Sequence, residues 1–305
     1  MPRGAELTIE GRACSPARPV VQLLSMTFRA EPTTATLGAV VTGVKLAALS
    51  GAEWRAVESA FLEHALLIFP AQHLSAGEQA AFAHRFGEIE HIVPDRETVA
   101  ISNKRADGTL LKDDDATMQI LRGNEGWHTD SSYMPLAAKA SVLSAQVVPS
   151  RGGQTEWADM RAAYQALDAA TRERIAKLSA YHSIKYSQAR IGQSAGYAGY
   201  GFDVGEAPLR PLVKQHPVTG RPSLFIGRHA HAIPGLAEAA SERLLDELMA
   251  FACQPPRTYQ HEWTPGDVVI WDNRCVLHRA RPWDHAEARV MHHTRIAGDP
   301  ASERA

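Results

Sequence analysis

Apolar positions recur at two spacings along the chain after Met26. Ser50–His64 carries Trp54, Val57 and Phe61 three and four residues apart, the spacing of one helix face. Ala237–Cys253 repeats the pattern more fully: Leu244, Leu245, Leu248, Met249 and Ala252 form one stripe, and Pro255-Pro256 ends it. Ser75-Ala76-Gly77-Glu78 is a capping-box pattern that opens a further helix stopped at Gly87. Asp159–Leu178 reads as helix broken near Asp168, whose carboxylate suits the N-cap of a second segment. Short apolar or alternating runs predict strands over Thr36–Val44, Ala65–Phe69, Ala140–Val148, Leu224–Ile226, Asp267–Trp271 and Arg289–Ile296. The run Pro217–Gly220 predicts a hairpin turn between Leu209–His216 and Ser223–Ile226, and the Gly/Tyr-rich Gly196–Gly205 a loop. Short strands with inserted helices, without strand–helix alternation or an internal repeat, predict an α+β, mainly β, fold.

Composition narrows the function classes. A chain of 305 residues buries a sizeable core unaided. Thirty-two Lys and Arg against 34 Asp and Glu argue against a nucleic-acid protein, and no apolar run is long enough to span a membrane. Cys14, Cys253 and Cys275 form no CxxC pair, so neither a disulfide framework nor a Cys-rich zinc site is expected, and a reducing cytoplasm fits. Residues 1–25 mix Pro, Arg, Ala and Ser without periodicity and read as a disordered extension. Residues 26–305 read as one domain. The 14 His are the unusual count, and they direct attention to metal.

His128 and Asp130, two apart in Trp127-His128-Thr129-Asp130, point to the same side if they lie on a strand, within reach of one ion. Alone the pattern is weak, and a surface His beside a loop carboxylate accounts for it equally. Completing a two-His-one-carboxylate face needs another His. His229 and His231 share a face and could bind metal, but they precede the Pro234-Gly235 turn and read as polar rim residues. His278 has the better context, because it follows the apolar run Val268–Trp271 and the turn residues Asp272-Asn273. Beyond it, Arg289, Met291, His293 and Arg295 share one face of a predicted strand. Such a face is either an exposed edge or a wall that receives anions, for which the planar guanidinium is suited.

Taken in order, His128-x-Asp130, Gly152-Gly153-Gln154-Thr155 running on to Arg161, Trp271-Asp272-Asn273-Arg274-Cys275-Val276-Leu277-His278 and Arg289 resemble the taurine dioxygenase family of Fe(II)- and 2-oxoglutarate-dependent dioxygenases. The resemblance runs from about Thr36 to Asp299. Asp159–Tyr164, Trp271–His278 and Ile226–Gly235 are most similar to the aryloxyalkanoate dioxygenases of herbicide degradation, of the 2,4-dichlorophenoxyacetate and (S)-dichlorprop types. Ile226–Gly235, with Pro211–Lys214 and Arg289–Met291, favours the (S)-phenoxypropionate branch. The fold implied is a double-stranded β-helix, or jelly roll, with helices outside. The implied metal ligands are His128, Asp130 and His278, which are also the catalytic centre. Thr155 and Arg289 would hold 2-oxoglutarate, with Trp271 bordering it. The family has an Arg four residues after the cosubstrate Arg; here that position is His293, and Arg295, assisted by His293, is the expected partner of the substrate's acid group.

The expected reaction uses Fe(II), 2-oxoglutarate and O2 to hydroxylate an aryloxyalkanoate next to its ether oxygen, releasing a phenol, an oxo acid, succinate and CO2. The expected partner is a small anionic aromatic molecule, with no nucleic acid and no membrane, and a homo-oligomer is expected. The same mechanism on a sulfonate or alkyl sulfate is an alternative. So, in other classes, are a zinc hydrolase, which leaves Arg289 and Thr155 unexplained, and a non-catalytic β-helix binding protein, which leaves the intact triad unexplained.

Overall fold

The computed structural model describes residues 28–192 and 205–305. The N-terminal extension, and all of the Gly/Tyr-rich stretch but Gly205, lie outside the described residues. In chain order the elements are β1 (Arg29–Pro32), β2 (Ala39–Thr42), α1 (Gly51–His64), β3 (Leu66–Phe69), α2 (Ala76–His84), β4 (Val99–Ser102), α3 (Ala116–Gly123), β5 (Ala138–Val147), β6 (Thr155–Asp159), α4 (Met160–Ala166), α5 (Ala169–Ile175), β7 (Ser179–His182), α6 (Ile184–Ala189), β8 (Leu209–Pro211), β9 (Val213–Gln215), β10 (Pro222–Leu224), β11 (Ala230–His231), α7 (Glu238–Ala252), β12 (Thr258–His261), β13 (Val268–Asp272), β14 (Val276–Ala280), β15 (Val290–Ala297) and α8 (Pro300–Glu303).

Local chemistry sets the boundaries. Ser75 and Glu78 exchange side-chain and backbone hydrogen bonds at the start of α2, as the capping-box pattern predicts, and Ser50 and Glu53 do the same for α1. Asp159 caps α4 and Asp168 caps α5, which places the break inside 159–178 where the carboxylate suggests it. Residues 217–220 turn β9 into β10 as an antiparallel pair.

A seven-stranded sheet, ordered β1-β2-β3-β13-β5-β15-β4, forms the main wall. All its pairs are antiparallel except β2 with β3. Two-residue alternation splits its side chains cleanly. Leu67, Phe69, Val142, Val268 and Ile270 pack outward with Val57, Phe61 and Phe82 of α1 and α2. Leu66, Ile68, Leu143, Val269, Trp271 and Met291 face inward, where they meet Trp157 and Val276. Those two belong to a second sheet, β12-β6-β14. Behind it, α4 and α7 pack Ala163, Leu244, Leu245 and Leu248 with Ala158 and Leu277. A further three-stranded antiparallel sheet is ordered β11-β7-β8. The site residues expected from the sequence line one cavity between the main sheet's inner face and β6–β14.

Candidate active site

His128 and His278 meet across a single antiparallel bridge in which each amide bonds the other's carbonyl, at 3.0 and 2.8 Å. Their rings lie 4.1 Å apart between centroids. His278 sits within β14. His128, however, is a lone bridge residue, and Asp130 lies in the turn after it, where Ser131 takes φ 54°. The expected strand across His128 and Asp130 is therefore a bend, and it still converges on one point: single ligand atoms of His128, Asp130 and His278 all fall within 4.8 Å of one another, and all three residues are buried.

The donor chemistry suits a divalent cation. His128 Nδ1 is 2.8 Å from the Gly126 carbonyl, so Nδ1 carries the proton and Nε2 keeps its lone pair. Burial pulls the His128 imidazole down to about 4, only partly offset by Asp130, so it is neutral at physiological pH. Burial likewise holds His278 well below the ordinary range. Its Nε2 lies 3.7 Å from Asp130 Oδ2, while its Nδ1 is buried with no hydrogen-bond partner. Burial opposes the charge on Asp130, but the Arg295 guanidinium and the nearby His278 and His293 outweigh it and keep the carboxyl well below its usual range. Two neutral imidazoles and one carboxylate, sharing one focus with room for further ligands, are the donor set of a non-haem Fe(II) centre.

Arg289 supplies the second feature. Its guanidinium is buried, donates from Nε to the Gly153 carbonyl at 3.0 Å, and lies over the Trp283 ring. Among the described residues no carboxylate pairs with it, and burial alone lowers it to about 10. A buried cation without a counter-charge is costly, and an anion entering the cavity offsets that cost. The glycine pair of the second motif makes the space. Gly152 has φ +76°, and a Cβ there would stand 2.5 Å from the Pro282 carbonyl; at Gly153 it would crowd Arg289 Cδ and Nε at 3.1 Å. Thr155 lines the same cavity. Its Oγ1 accepts from Trp263 Nε1 at 2.9 Å, which leaves the hydroxyl proton for an incoming carboxylate. Trp271 borders this space, its ring 4.5 Å from that of His278 and stacked parallel to His293 at 6.1 Å.

The strand parity expected for Met291, His293 and Arg295 is present: all three are buried, and Arg295, His293 and Arg289 line one cavity with the triad. Arg295 is nevertheless not an open substrate cation. Its NH2 is 2.9 Å from Asp130 Oδ1, and NH1 donates to Ser131 Oγ, whose proton goes to Glu90. His293 Nε2 also faces Asp130, at 3.5 Å. Of the other cations near the site in sequence, Lys104 and Arg105 are exposed, and Arg105 pairs with Asp115.

Three further residues line the cavity: Tyr133, which nothing in the sequence marks; Arg228, which the sequence offers only as a cation to test after Arg295; and His229, which it offers as a possible metal ligand but favours as rim. Arg228 lines the cavity and donates to the carbonyls of Gly123, Ser187 and Gln188, with no carboxylate partner among the described residues; burial brings it to about 10. Tyr133 stands opposite, buried and 4.8 Å from the His229 ring. His229 itself, expected at a polar rim, is buried in the cavity wall. Ser187 Oγ gives its one proton to the Ile184 carbonyl at 2.9 Å, so the 2.8 Å contact is donated by His229 Nδ1. His231 is the half-buried one, stacked on Tyr186 outside this cavity.

A second trio, His216, Asp272 and Cys275, is equally close-set but already committed. His216 Nδ1 accepts the amides of Val218 and Thr219, so Nε2 donates to Asp272 Oδ2 at 3.0 Å. Asp272 also takes two bonds from the Arg274 guanidinium, at 2.7 and 2.6 Å. No lone pair of the imidazole is left to bind a cation.

Comparison with known proteins gives one answer. The profile of the family described as "Taurine catabolism dioxygenase TauD, TfdA family" matches residues 29–296. An (S)-phenoxypropionate/alpha-ketoglutarate-dioxygenase of Sphingobium herbicidovorans is 58% identical over 289 residues, covering 92% of this chain and 99% of that protein. An alpha-ketoglutarate-dependent 2,4-dichlorophenoxyacetate dioxygenase of Burkholderia sp. is 38% identical, with 82% and 88% covered. The crystal structure of AAD-2 in complex with Mn(II) and N-oxalylglycine superposes with a TM-score of 0.83 at 38% identity, covering 90% of this chain and 98% of the other. With the family profile spanning nearly all the described chain, and a relative matched over almost its full length at more than half identity, this chain belongs to the taurine catabolism dioxygenase TauD, TfdA family.

Proposed function

We propose that this protein is an Fe(II)- and 2-oxoglutarate-dependent dioxygenase that hydroxylates an aryloxyalkanoate, of the (S)-phenoxypropionate or phenoxyacetate type, next to its ether oxygen. The observation that carries the reading is the pairing, in one cavity, of the His128–Asp130–His278 donor set with the buried, carboxylate-free Arg289. The first fits a ferrous ion and the second the distal carboxylate of 2-oxoglutarate. The identity to the (S)-phenoxypropionate enzyme supports the substrate class. In this reading the main sheet and β12-β6-β14 are the two walls of a double-stranded β-helix.

His128 Nε2, the Asp130 carboxylate and His278 would hold the iron. Bound there with 2-oxoglutarate and O2, it supplies oxidative decarboxylation to succinate and CO2 and the insertion of one oxygen atom into a C–H bond. The chain's own residues bind, orient and exclude water. Arg289 and the Thr155 hydroxyl receive the far carboxylate of the cosubstrate, and Trp271 walls it. Ile120, Leu121 and Ile184 offer an apolar surface for the aryl ring. Arg295 stays with Asp130, so the substrate's carboxylate falls to Arg228, the other lining arginine without a carboxylate partner among the described residues. Hydroxylation beside the ether oxygen gives a hemiacetal or hemiketal. Its collapse breaks the bond between the hydroxylated carbon and the ether oxygen, so the oxygen leaves with the ring as a phenol and the carbon becomes the carbonyl of an oxo acid.

Anaerobic addition of Fe(II) and 2-oxoglutarate to the purified protein tests the centre: a weak visible charge-transfer band is expected, and its loss in Arg289→Ala at the same ligand concentration. Equal release of phenol and succinate from an (S)-2-phenoxypropionate on admitting O2 tests the substrate. Absence of the band, with zinc-dependent hydrolysis instead, would overturn the reading.

A further inference from the structure

We infer that Asn273, which touches neither the metal donors' focus nor the cavity, is the positioning residue of the metal site: its carboxamide fixes the turn that carries Asp130 and, through Ser141, aims the Asp130 carboxylate. The inference rests on the reading that His128, Asp130 and His278 hold a divalent cation.

Asn273 lies in the connection between β13 and β14, five residues before His278, and is 1% exposed. The orientation of its amide is set by chemistry. The Trp271 indole can only donate, and its Nε1 is 2.8 Å from one end of the carboxamide, so that end is Oδ1. Oδ1 also faces the Asp130 amide and Thr129 Oγ1, both at 3.3 Å. Thr129 Oγ1 gives its proton to the Asn273 backbone carbonyl at 2.7 Å. One residue therefore holds the two positions next to and at the carboxylate ligand from both its side chain and its main chain.

The other end of the amide completes a directed chain. Nδ2 donates to Ser141 Oγ at 2.9 Å, so the Ser141 hydroxyl must turn its own proton elsewhere, and it points to Asp130 Oδ2 at 2.7 Å. Ser141 is on β5, fully buried, at an inward position of the main sheet. Oδ2 is the oxygen nearer His278, so the hydroxyl holds the oxygen that faces the metal donors while Arg295 holds Oδ1. The backbone N–H of Asn273 donates to the Lys139 carbonyl at 3.0 Å. Its neighbours Asp272 and Arg274 are locked to each other and to His216. The turn that delivers His278 thus also clamps Asp130, and the bridge to His278 clamps His128. All three ligands are referenced to one rigid turn, so a cation finds the donors already in place. Partners of this kind typically change metal affinity by about 10–100-fold when removed.

The test uses the purified full chain and Mn2+ as probe, its free concentration read by electron paramagnetic resonance. Asn273→Asp keeps the shape and the acceptor for Trp271 but puts an oxygen where Nδ2 was, which draws the Ser141 proton away from Asp130. Ser141→Ala leaves the turn intact and removes only the last link. Both variants are expected to raise the Mn2+ dissociation constant roughly 10-fold or more, and to lower the phenol formed per succinate, while circular dichroism stays native. If Asn273→Asp does not fold, Ser141→Ala decides alone. Folded variants that bind Mn2+ within threefold of the unsubstituted protein would show that Asn273 serves only the turn, and the inference falls. Failure of the unsubstituted protein to bind Mn2+, or unaltered binding by His128→Ala, would instead overturn the metal-site reading itself.

Discussion

His128 and His278 are partners in an isolated antiparallel bridge whose paired backbone hydrogen bonds bring two imidazoles, distant in sequence, to 4.1 Å between ring centroids. The backbone, rather than the rings, sets their separation. A ligand substitution therefore removes a donor without removing the bridge that carries it. His128→Ala, Asp130→Ala and His278→Ala should each abolish oxygen-dependent turnover and weaken Mn2+ binding at least tenfold, with near-native circular dichroism. Substrate-coupled succinate formation at the unsubstituted rate in any of the three would remove that residue from the triad.

Arg289 is buried with no carboxylate partner among the described residues, the setting an incoming anion would complete. Arg289→Ala should raise the KM for 2-oxoglutarate by the equivalent of roughly 2–5 kcal/mol, the cost of stripping a buried charge of its partner. Thr155→Val, which removes one uncharged donor to that carboxylate, should cost less, about 1.5–3 kcal/mol. Gly153→Ala acts on the same KM through Arg289, because the added methyl stands against its Cδ and Nε. If Thr155→Val is the more damaging, the carboxylate is anchored elsewhere.

Much of this was readable from residue order because the relevant devices are local. The apolar run Val268–Trp271 reads as a strand, and the structure has it so; which of its residues face which core, Trp271 inward and Ile270 outward, comes from the fold. Asp168 marks its helix start because an N-cap carboxylate has a specific geometric job. What escaped depends on long-range packing. Ser141 is a small residue in an apolar strand, and only the fold shows that Asp130 lies against it. The bend after His128 follows from Ser131 in the left-handed region, held by Glu90 from another segment. His229 reads as rim because Pro234-Gly235 follows it, yet β11 pairs with β7 and carries it inside. The face shared by His293 and Arg295 was legible; that both already face Asp130 was not.

Acid stability should be limited by buried imidazoles, and His182 isolates the effect away from the metal donors. It is fully buried beside the Phe225 ring, neither ring nitrogen has a hydrogen-bond partner among the described residues, and burial pulls it down to about 3. The unfolded chain takes up the proton near 6.5 and the folded chain only near 3. Stability therefore falls as the pH drops through that window, by at most about 1.4 kcal/mol per unit. Between pH 7 and pH 5 the loss from this residue should be roughly 2 kcal/mol. In urea unfolding, His182→Phe should show a smaller pH 7-to-5 decrease than the unsubstituted chain; an identical decrease would place the titrating group elsewhere.

The last prediction separates the two lining arginines that the substrate's acid group could meet. Arg295 is 2.9 Å from Asp130 and shares Ser131 with Glu90, so its charge is matched within the protein. Among the described residues Arg228 donates to the backbone carbonyls of Gly123 and Ser187 and to Gln188 Oε1, which orient a guanidinium without neutralising it. Arg228→Gln should therefore raise the KM for a phenoxyalkanoate at least tenfold, about 1.4 kcal/mol, and leave the KM for 2-oxoglutarate within twofold. Arg295→Gln should act instead on the metal: Asp130 and Glu90 then face each other without their cation, Asp130 is protonated more readily, and Mn2+ binding weakens most at low pH. Steady-state kinetics at two pH values, with Mn2+ titrations of both variants, read the difference. A tenfold rise in substrate KM for Arg295→Gln with unchanged Mn2+ affinity would reverse the assignment and give the substrate's carboxylate to Arg295.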